Sequence, residues 1–391
     1  MRSFRFQGPI PSSKSMMNRA LLIQSYFPDL LIHGDSTCDD VVHMRSALTQ
    51  LHQKQEIFCG EAGTVFRFLA LRASRDPGTY RLTGSQRLLA RPHDEIVYLL
   101  EQLSVSSQLD TQGLTIHSQG WKKPLIPLQV HRETSSQFAT SLLLNSWNLN
   151  FDLEFGMRVG VSEGYWKMTL EMAQQAGMAI ENRQERWRVP AQQKISMPHT
   201  LEVEPDLSSA FAIAAAGALA GESIIQSFPA QSLQPDHIFV DLLKQMGIAV
   251  VQSPTELKVQ KTESIKPIHF DLKSCPDLFP CLAVLCAFAD GESVLGGAPH
   301  LVHKESNRVK KTLELLNLAG IACSVKGMDV HIHGRGPNIR RNLFQFSPDQ
   351  DHRMAMASGL LMLKGFEVQL MNAEVVSKSF PEFWKILGFY P

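Results

Sequence analysis

A pattern that returns six times constrains this chain more than any other feature. A small or polar pair opens an apolar helical stretch of about a dozen residues, a Gly or Pro often punctuates it, and a short strand follows. The copies are Lys14-Ser15 leading into Asn18-Arg-Ala-Leu-Leu-Ile, Gly63-Thr64 into Phe66-Arg-Phe-Leu-Ala-Leu, and Ser135-Ser136-Gln137 into Phe-Ala-Thr-Ser-Leu-Leu-Leu. They continue with Asp206-Leu-Ser208-Ser209, Cys275-Pro276-Asp277-Leu278 and Asp351-His352-Arg353, each running into an Ala- or Leu-rich stretch. Markers at positions 14, 64, 136, 208, 277 and 352 lie 50, 72, 72, 69 and 75 residues apart. A period near 70 with one short first gap predicts six related α/β units.

Strands are expected after the turns. Gly221-Glu-Ser-Ile-Ile-Gln-Ser and Gly291-Glu-Ser-Val-Leu-Gly-Gly are near duplicates, Gly365-Phe-Glu-Val-Gln-Leu repeats the idea, and Pro77-Gly-Thr-Tyr-Arg-Leu-Thr is a looser version. Apolar residues at helical spacing predict second helices over Asp39 to Leu51, Pro92 to Leu103 and Asn307 to Ala319. Six units in 391 residues exceed what one core supports, so two domains of three units are expected.

Charge narrows the function. Lys and Arg number 38 against 38 Asp and Glu, which argues against an electrostatic nucleic-acid binder. Any basic site is therefore a local cluster. The six cysteines show no CxxC pair and no metal-type spacing, and three lie in or beside the apolar run Leu278 to Ala289, so reduced thiols are expected. The N-terminus opens no signal-peptide core, and the apolar runs fall short of the roughly 20 residues of a membrane helix. The expected setting is the cytoplasm, without membrane or nucleic-acid partners.

The helix starts carry the chemistry. A helix N-terminus presents unpaired N–H groups and partial positive charge, so it favours anions. Ser and Thr there are also ordinary caps. Capping does not explain the cations beside the starts, Lys14, Arg19, Arg67 and Arg353. They point to a site for phosphates or carboxylates.

From Pro11 to about Trp384 the chain resembles the 5-enolpyruvylshikimate-3-phosphate synthase family. The resemblance is carried by Ser13-Lys-Ser-Met-Met-Asn-Arg-Ala-Leu, Gly60-Glu-Ala-Gly-Thr-Val-Phe-Arg, Ala90-Arg-Pro, Ser135-Ser-Gln-Phe and Ser162-Glu-Gly-Tyr. Asp206-Leu-Ser-Ser-Ala, Pro276-Asp, His303-Lys-Glu-Ser-Asn-Arg, Asp351-His-Arg-Met-Ala-Met and Ser377-Lys-Ser-Phe-Pro follow in the family's order. It implies the enolpyruvyl transferase fold: two inverse α/β domains, each of three βαβαββ units, with the active site in the interdomain cleft. One domain would span residues 1–12 and 205–391 and carry both termini; the inserted domain would span 13–204. The implied reaction moves the enolpyruvyl group of phosphoenolpyruvate to the 5-hydroxyl of shikimate 3-phosphate and releases phosphate. No cofactor, no metal and a monomer are implied.

By motif match, Lys14, Ser15, Arg19, Ser135, Ser136, Gln137, Ser162, Tyr165, Asp277 and Lys304 would hold shikimate 3-phosphate. Lys14, Gly63, Arg91, Gln137, Arg308, Arg353 and Lys378 would surround phosphoenolpyruvate. Two phosphates and two carboxylates favour Arg forks and Lys point charges. The reaction also needs a hydroxyl deprotonated and a methylene carbon protonated. The resemblance implies Asp277 as the base and leaves Glu305 and Lys14 both open for the methylene proton.

Plainer roles compete. Asp277 before an apolar run reads as a helix cap, Lys304, Glu305 and Arg308 read as a solvated charge face, and Lys378 reads as a surface lysine. His331 and His333 alternate on an expected strand without an evident third ligand. Several positions depart from the family. Ser12-Ser13 replaces Pro-Gly, Glu61 stands for Asn, Phe68 for Pro, Val302 for Arg and Asn307 for Asp. His300 stands near where an Asn is usual. Between Leu48 and Gly60 there is no room for the family's strand pair. Rival readings are the sister transferase on UDP-N-acetylglucosamine, a transferase with another cyclitol or sugar acceptor, and a non-catalytic binding relative. The segment before Arg91-Pro92 lacks the sister enzyme's usual Cys or Asp.

Overall fold

Three helices buried on every side form the centre of each half of the chain, and strands and amphipathic helices wrap around them. The structure is a computed structural model that describes residues 3–158, 160–184, 186–195, 199–297, 299–336 and 340–389. It divides into an inserted unit, Ser12–Val203, and a terminal unit made of Met1–Pro11 and Glu204–Pro391.

The inserted unit contains α1 (Lys14–Gln24), α2 (Asp39–His52), α3 (Gly63–Ala73), α4 (Gln86–Leu89), α5 (Asp94–Gln102), α6 (Gln137–Leu144) and α7 (Glu163–Gln175). Helices α1, α3 and α6 are its inner three: almost all of α3 and α6 is buried, as their continuous apolar sequence requires. Helix α2 instead buries one stripe, Val41, Met44, Ala47 and Leu51, at spacings of 3, 3 and 4. Two four-stranded sheets flank the helices, one ordered 57–58, 78–83, 113–118, 106–110 and the other 128–130, 153–157, 186–189, 181–183. In each, the first pair is parallel and the remaining pairs antiparallel. The third sheet has only two strands, 31–33 parallel to 200–202. The first repeat is thus short as its sequence requires: α2 ends at His52 and the next strand begins at Ile57. Leu31 and Val42 are 55% and 52% exposed, which the missing strand pair accounts for.

The terminal unit contains α8 (Leu207–Ala220), α9 (Phe239–Gln245), α10 (Phe279–Ala287), α11 (Arg308–Leu318), α12 (His352–Leu363) and α13 (Phe383–Leu387). Its inner three are α8, α10 and α12, and their side chains join one hydrophobic cluster with the flanking strands. The sheets are 4–9, 221–226, 256–260, 249–252, then 269–271, 290–296, 329–335, 323–326, and the parallel pair 343–346 with 367–370. Strand 4–9 pairs in parallel with 221–226, Phe4 opposite Gly221. A Cβ on Gly221 would stand 1.9 Å from the Phe4 carbonyl oxygen, so only glycine lets α8 turn directly into this central strand.

Helices expected over Asp39 to Leu51 and Asn307 to Ala319 are present as α2 and α11; the segment expected as one helix from Pro92 to Leu103 begins at Asp94, after a separate short α4. Among the described residues no helix is long and apolar enough to cross a membrane. All six cysteines are free thiols, and among the described residues no group of three or more His, Cys, Asp or Glu is placed to hold a metal. His331 Nδ1 lies 2.9 Å from Glu292 and His333 Nε2 3.7 Å from the same carboxylate, a partly exposed cross-strand pairing rather than half of a metal site.

Candidate active site

Within each unit, side chains at the starts of inner helices touch one another, and many of the residues singled out in the sequence lie there. In the inserted unit Ser13 caps α1, accepting from the Met16 amide at 3.4 Å, while Ser12 exchanges hydrogen bonds with Asp35. The Ser-Ser that departs from the family's Pro-Gly therefore serves as a cap and a tie. Helix α3 begins at Gly63 after Ala62, with no side-chain cap. Helix α6 follows Ser135 and Ser136, and the Ser135 hydroxyl accepts from the Gln137 amide at 3.2 Å.

Around these starts stands an excess of cations. Lys14 Nζ lies 3.1 Å from Asp40, on the first turn of α2. Arg19 is buried, donates to Thr169 Oγ1 at 2.9 Å and to the carbonyls of Ser15 (2.7 Å) and Tyr165 (3.5 Å), and pairs with no carboxylate among the described residues. Burial draws its pKa down to about 10, with Tyr165 opposing. A buried guanidinium held only by neutral acceptors keeps an uncompensated charge, which suits an anion. Phe68, the departure from Pro, is fully buried with its ring centroid 5.7 Å from the Arg19 guanidinium carbon.

Arg67 donates to Gln137 Oε1 at 2.8 Å and to the Pro92 carbonyl at 3.0 Å, and Gln137 Nε2 donates to Thr64 Oγ1 at 2.9 Å. Gln137 thus ties the starts of α3 and α6. Arg91 lies against Gly63: a Cβ there would stand 2.7 Å from Arg91 Nη1. Ser162 precedes α7 in left-handed conformation, φ 55°, at the start of a helix whose Glu163 pairs with Arg132 at 2.9 Å. For a residue other than glycine that conformation is strained, and such strain gathers at functional sites.

His93 is buried behind this cluster. Its Nε2–H donates to the Leu88 carbonyl at 2.8 Å, and its ring centroid lies 4.4 Å from that of Phe66. Burial, then the nearby Arg67, pulls its pKa down to about 3. The imidazole is neutral when folded but takes a proton in the unfolded chain below about pH 6.5. Its contribution to stability is therefore full above pH 6.5 and is lost as pH falls towards 3. His93→Gln is expected to flatten the fall in unfolding free energy between pH 6.5 and 4 by up to one proton's slope, read from urea melts across that range.

The terminal unit repeats the geometry with a carboxylate beside each helix start and cations between them. Its three inner helices start beside Asp206, Asp277 and Asp351, 71 and 74 residues apart. Asp206 caps α8, accepting from the Ser209 amide at 2.8 Å, and Asp351 caps α12, accepting from the Arg353 amide at 3.0 Å. Asp277 does not act as a cap. It lies on the short turn before α10, and its Oδ1 takes Arg308 Nη1 at 2.7 Å, with Lys304 Nζ at 3.9 Å and Arg353 Nη2 3.9 Å from Oδ2. Arg308 also donates to Asp351 Oδ2 at 2.9 Å and Glu305 Oε2 at 3.0 Å, so one buried guanidinium holds three carboxylates. Arg353 reaches the Ser208 hydroxyl and lies 3.7 Å from Asp206.

Burial alone would raise the Asp277 pKa, but Arg308, Lys304 and Arg353 hold it well below the usual carboxylate range. The Arg308 guanidinium, buried among carboxylates, is held charged well above its ordinary value. His300 is buried, and burial followed by Lys304 pulls its pKa down to about 3, so it is a neutral imidazole at pH 7.

Two more plainer readings fall here. Lys304, Glu305 and Arg308 are no solvated face, because Arg308 is 1% exposed. Lys378 is 5% exposed at the end of the turn 373–378, not a surface lysine. Asn307, where the family has Asp, caps α11 by accepting from the Lys310 amide at 3.0 Å. Within the inserted unit the structure brings Ser15, Arg19 and Tyr165 into one network, Lys14 onto Asp40, Gly63 against Arg91, and Ser135, Ser136 and Gln137 onto one helix start. Within the terminal unit it brings Asp277, Lys304, Glu305, Arg308 and Arg353 together. Sequence reasoning misses Asp40, Asp206 and Asp351; for the last two, the repeat interval they share with Asp277 is the available signal.

Residues 30–387 match the family described as EPSP synthase (3-phosphoshikimate 1-carboxyvinyltransferase). The chain is 30% identical to the 3-phosphoshikimate 1-carboxyvinyltransferase of Pasteurella multocida, over 96% of this chain and 93% of that one. It is 29% identical to the protein of the same name from Syntrophobacter fumaroxidans, over 97% and 95%. The structure is similar to an EPSP synthase from Acinetobacter baumannii, TM-score 0.75 at 19% identity, covering 99% of this chain and 95% of that one. It is also similar to the enolpyruvyl transferase NikO from Streptomyces tendae, TM-score 0.71 at 16% identity over 99% and 94%. The fold is that of the enolpyruvyl transferases.

Proposed function

The chain belongs to the EPSP synthase family, and we propose that it transfers the enolpyruvyl group of phosphoenolpyruvate to the 5-hydroxyl of shikimate 3-phosphate and releases phosphate. The observation that carries this reading is Asp277: a carboxylate kept ionised by Arg308, Lys304 and Arg353, with Glu305 on the same guanidinium.

In the addition step the 5-hydroxyl oxygen bonds to C2 of phosphoenolpyruvate and loses its proton to Asp277, while the methylene carbon gains a proton. In the elimination step the C2–O bond to phosphate breaks and the methyl group gives up a proton, which restores the double bond. Glu305 and Lys14 are both candidates for the group that gives the methylene carbon its proton in the addition and takes it back in the elimination. Arg19, Lys14, Ser15, Ser135, Ser136, Gln137, Ser162, Tyr165 and Lys304 take shikimate 3-phosphate. Lys14, Gly63, Arg91, Gln137, Arg308, Arg353 and Lys378 take phosphoenolpyruvate, where cations offset charge developing on the tetrahedral intermediate. Asp40 holds Lys14 in place and Arg67 holds Gln137. The reading calls for no metal or organic cofactor and for a monomer working in the cytoplasm.

Phosphate release by the purified protein tests it directly. Release is expected only when both substrates are present, and Asp277→Ala is expected to abolish it. A folded protein that binds shikimate 3-phosphate but releases no phosphate would overturn the assignment.

Gly63→Ala bears on the phosphoenolpyruvate half. The added Cβ displaces the end of a flexible Arg91 side chain, so the melting temperature should hardly move. The KM for phosphoenolpyruvate is expected to rise about tenfold or more, equivalent to roughly 1.4 kcal/mol of lost binding, with the KM for shikimate 3-phosphate much less changed. Steady-state kinetics with each substrate varied in turn would check this.

A further inference from the structure

The opposite ends of the inner helices differ between the two units, and the difference points to a second site. In the inserted unit the C-terminal ends of α1, α3 and α6 are packed shut. Arg72 donates to Ser25 Oγ at 3.0 Å and pairs with Asp76 at 2.8 Å, and its guanidinium carbon lies 4.4 Å from the Tyr26 ring centroid. Arg75 donates to the Trp147 carbonyl at 2.8 Å and lies 5.0 Å from the Trp121 ring centroid. Aromatic rings fill the space and every cation has a partner.

In the terminal unit the corresponding end, where α8, α10 and α12 finish, holds a cavity of about 110 Å³ instead. A water molecule occupies about 30 Å³ of liquid, so there is room for a tetrahedral oxyanion. Its floor is apolar, from Leu219 and Phe288, and its cations are Lys261, Arg341 and Lys364. Part of their charge is used on the helix ends, as C-terminal dipoles favour. Arg341 Nε donates to the Lys364 carbonyl at 2.6 Å, and Lys364 Nζ donates to the Leu219 carbonyl at 3.4 Å while lying 5.0 Å from the Phe288 ring centroid. One carboxylate, the exposed Glu263, lines the cavity. Three cations thus face one carboxylate, and burial, then Lys261 and Arg341, holds the Lys364 ammonium below the usual lysine value.

We propose that this cavity binds a small inorganic oxyanion of the phosphate or sulfate class, held between Lys261, Arg341 and Lys364. Arg341 keeps its two terminal nitrogens for a forked contact and the lysines supply point charges, the usual division of labour at such sites. The site is separate from the helix N-termini that carry the chemistry.

Thermal melting of the full chain in sodium sulfate, against sodium chloride at matched ionic strength, tests this. Sulfate is expected to raise the melting temperature beyond chloride, and Lys261→Gln, Arg341→Gln and Lys364→Gln are each expected to remove most of the part due to this site. Lys261 is exposed, so its variant should fold even if Lys364→Gln does not. Shikimate 3-phosphate should protect the variants as well as it protects the unaltered protein. A sulfate effect of equal size in all three variants, or none beyond chloride in the unaltered protein, would overturn the proposal.

Discussion

Asp277→Asn is expected to lower phosphate release by about 10²–10⁴, the range a positioned general base contributes, and to leave the protein folded. Asn keeps the shape and one acceptor oxygen. Arg308, which loses a charged partner, retains Asp351 at 2.9 Å and Glu305 at 3.0 Å. Protection by shikimate 3-phosphate in a thermal melt should therefore persist, weakened by one contact.

The pH profile separates a base from an anchor. In the free protein Arg308, Lys304 and Arg353 overcome the effect of burial and hold Asp277 ionised well below the usual carboxylate range, where it is a weak base. A phosphorylated acceptor brings negative charge to those cations and pushes the carboxyl back up. The acid limb of kcat should then lie at higher pH than a free Asp277 would give, and it should be missing from the residual activity of Asp277→Asn. A variant within about tenfold of the unaltered rate, with its acid limb intact, would show that Asp277 only anchors the acceptor.

Much of this architecture was legible in the chain because repetition and helical spacing are local signals. The six helix starts at 14, 64, 136, 208, 277 and 352 correspond to the inner helices of the two units, and the near-duplicate strands after Gly221 and Gly291 pair as central strands of two sheets. The short first repeat showed as a missing stretch before Gly60. What stayed hidden depends on partners distant in sequence. Nothing near Lys14 announces that Asp40 pairs with it, and Arg308 finds Asp277 and Asp351, 31 and 43 residues away. Asp206 and Asp351 cap their helices, yet the same carboxylates approach Arg353 and Arg308. Burial was the other blind spot. Lys378 and the Lys304 to Arg308 stretch carry charge that on base rates belongs in water. Only the packing of the terminal unit brings Lys378 and Arg308 inside.

Arg308→Leu should be the most damaging single change in the terminal unit. Arg308 is 1% exposed and is the common partner of Asp277, Glu305 and Asp351, the last fully buried. A buried ion pair can be replaced by apolar groups at little cost only if both partners go; removing one leaves an uncompensated charge and costs about 3–5 kcal/mol. Here three carboxylates would be left facing one another. Their mutual repulsion raises their pKa values, so the folded variant takes up protons that the unfolded chain does not. The sign follows from linkage: stability then falls as pH rises through the raised values, and the deficit shrinks on acidification. In the unaltered protein the reverse holds for Asp277, whose depressed pKa contributes stability in full above the ordinary carboxylate range and loses it progressively as pH falls from that range towards the depressed value. Urea melts of both proteins at pH 7 and pH 5 should show a gap of about 3–5 kcal/mol that narrows at the lower pH. A gap under about 1 kcal/mol, or one equal at both pH values, would mean that Arg308 contributes through packing rather than charge. Arg308→Lys should fall between, because an ammonium keeps the charge but cannot span three carboxylates with the geometry of a guanidinium.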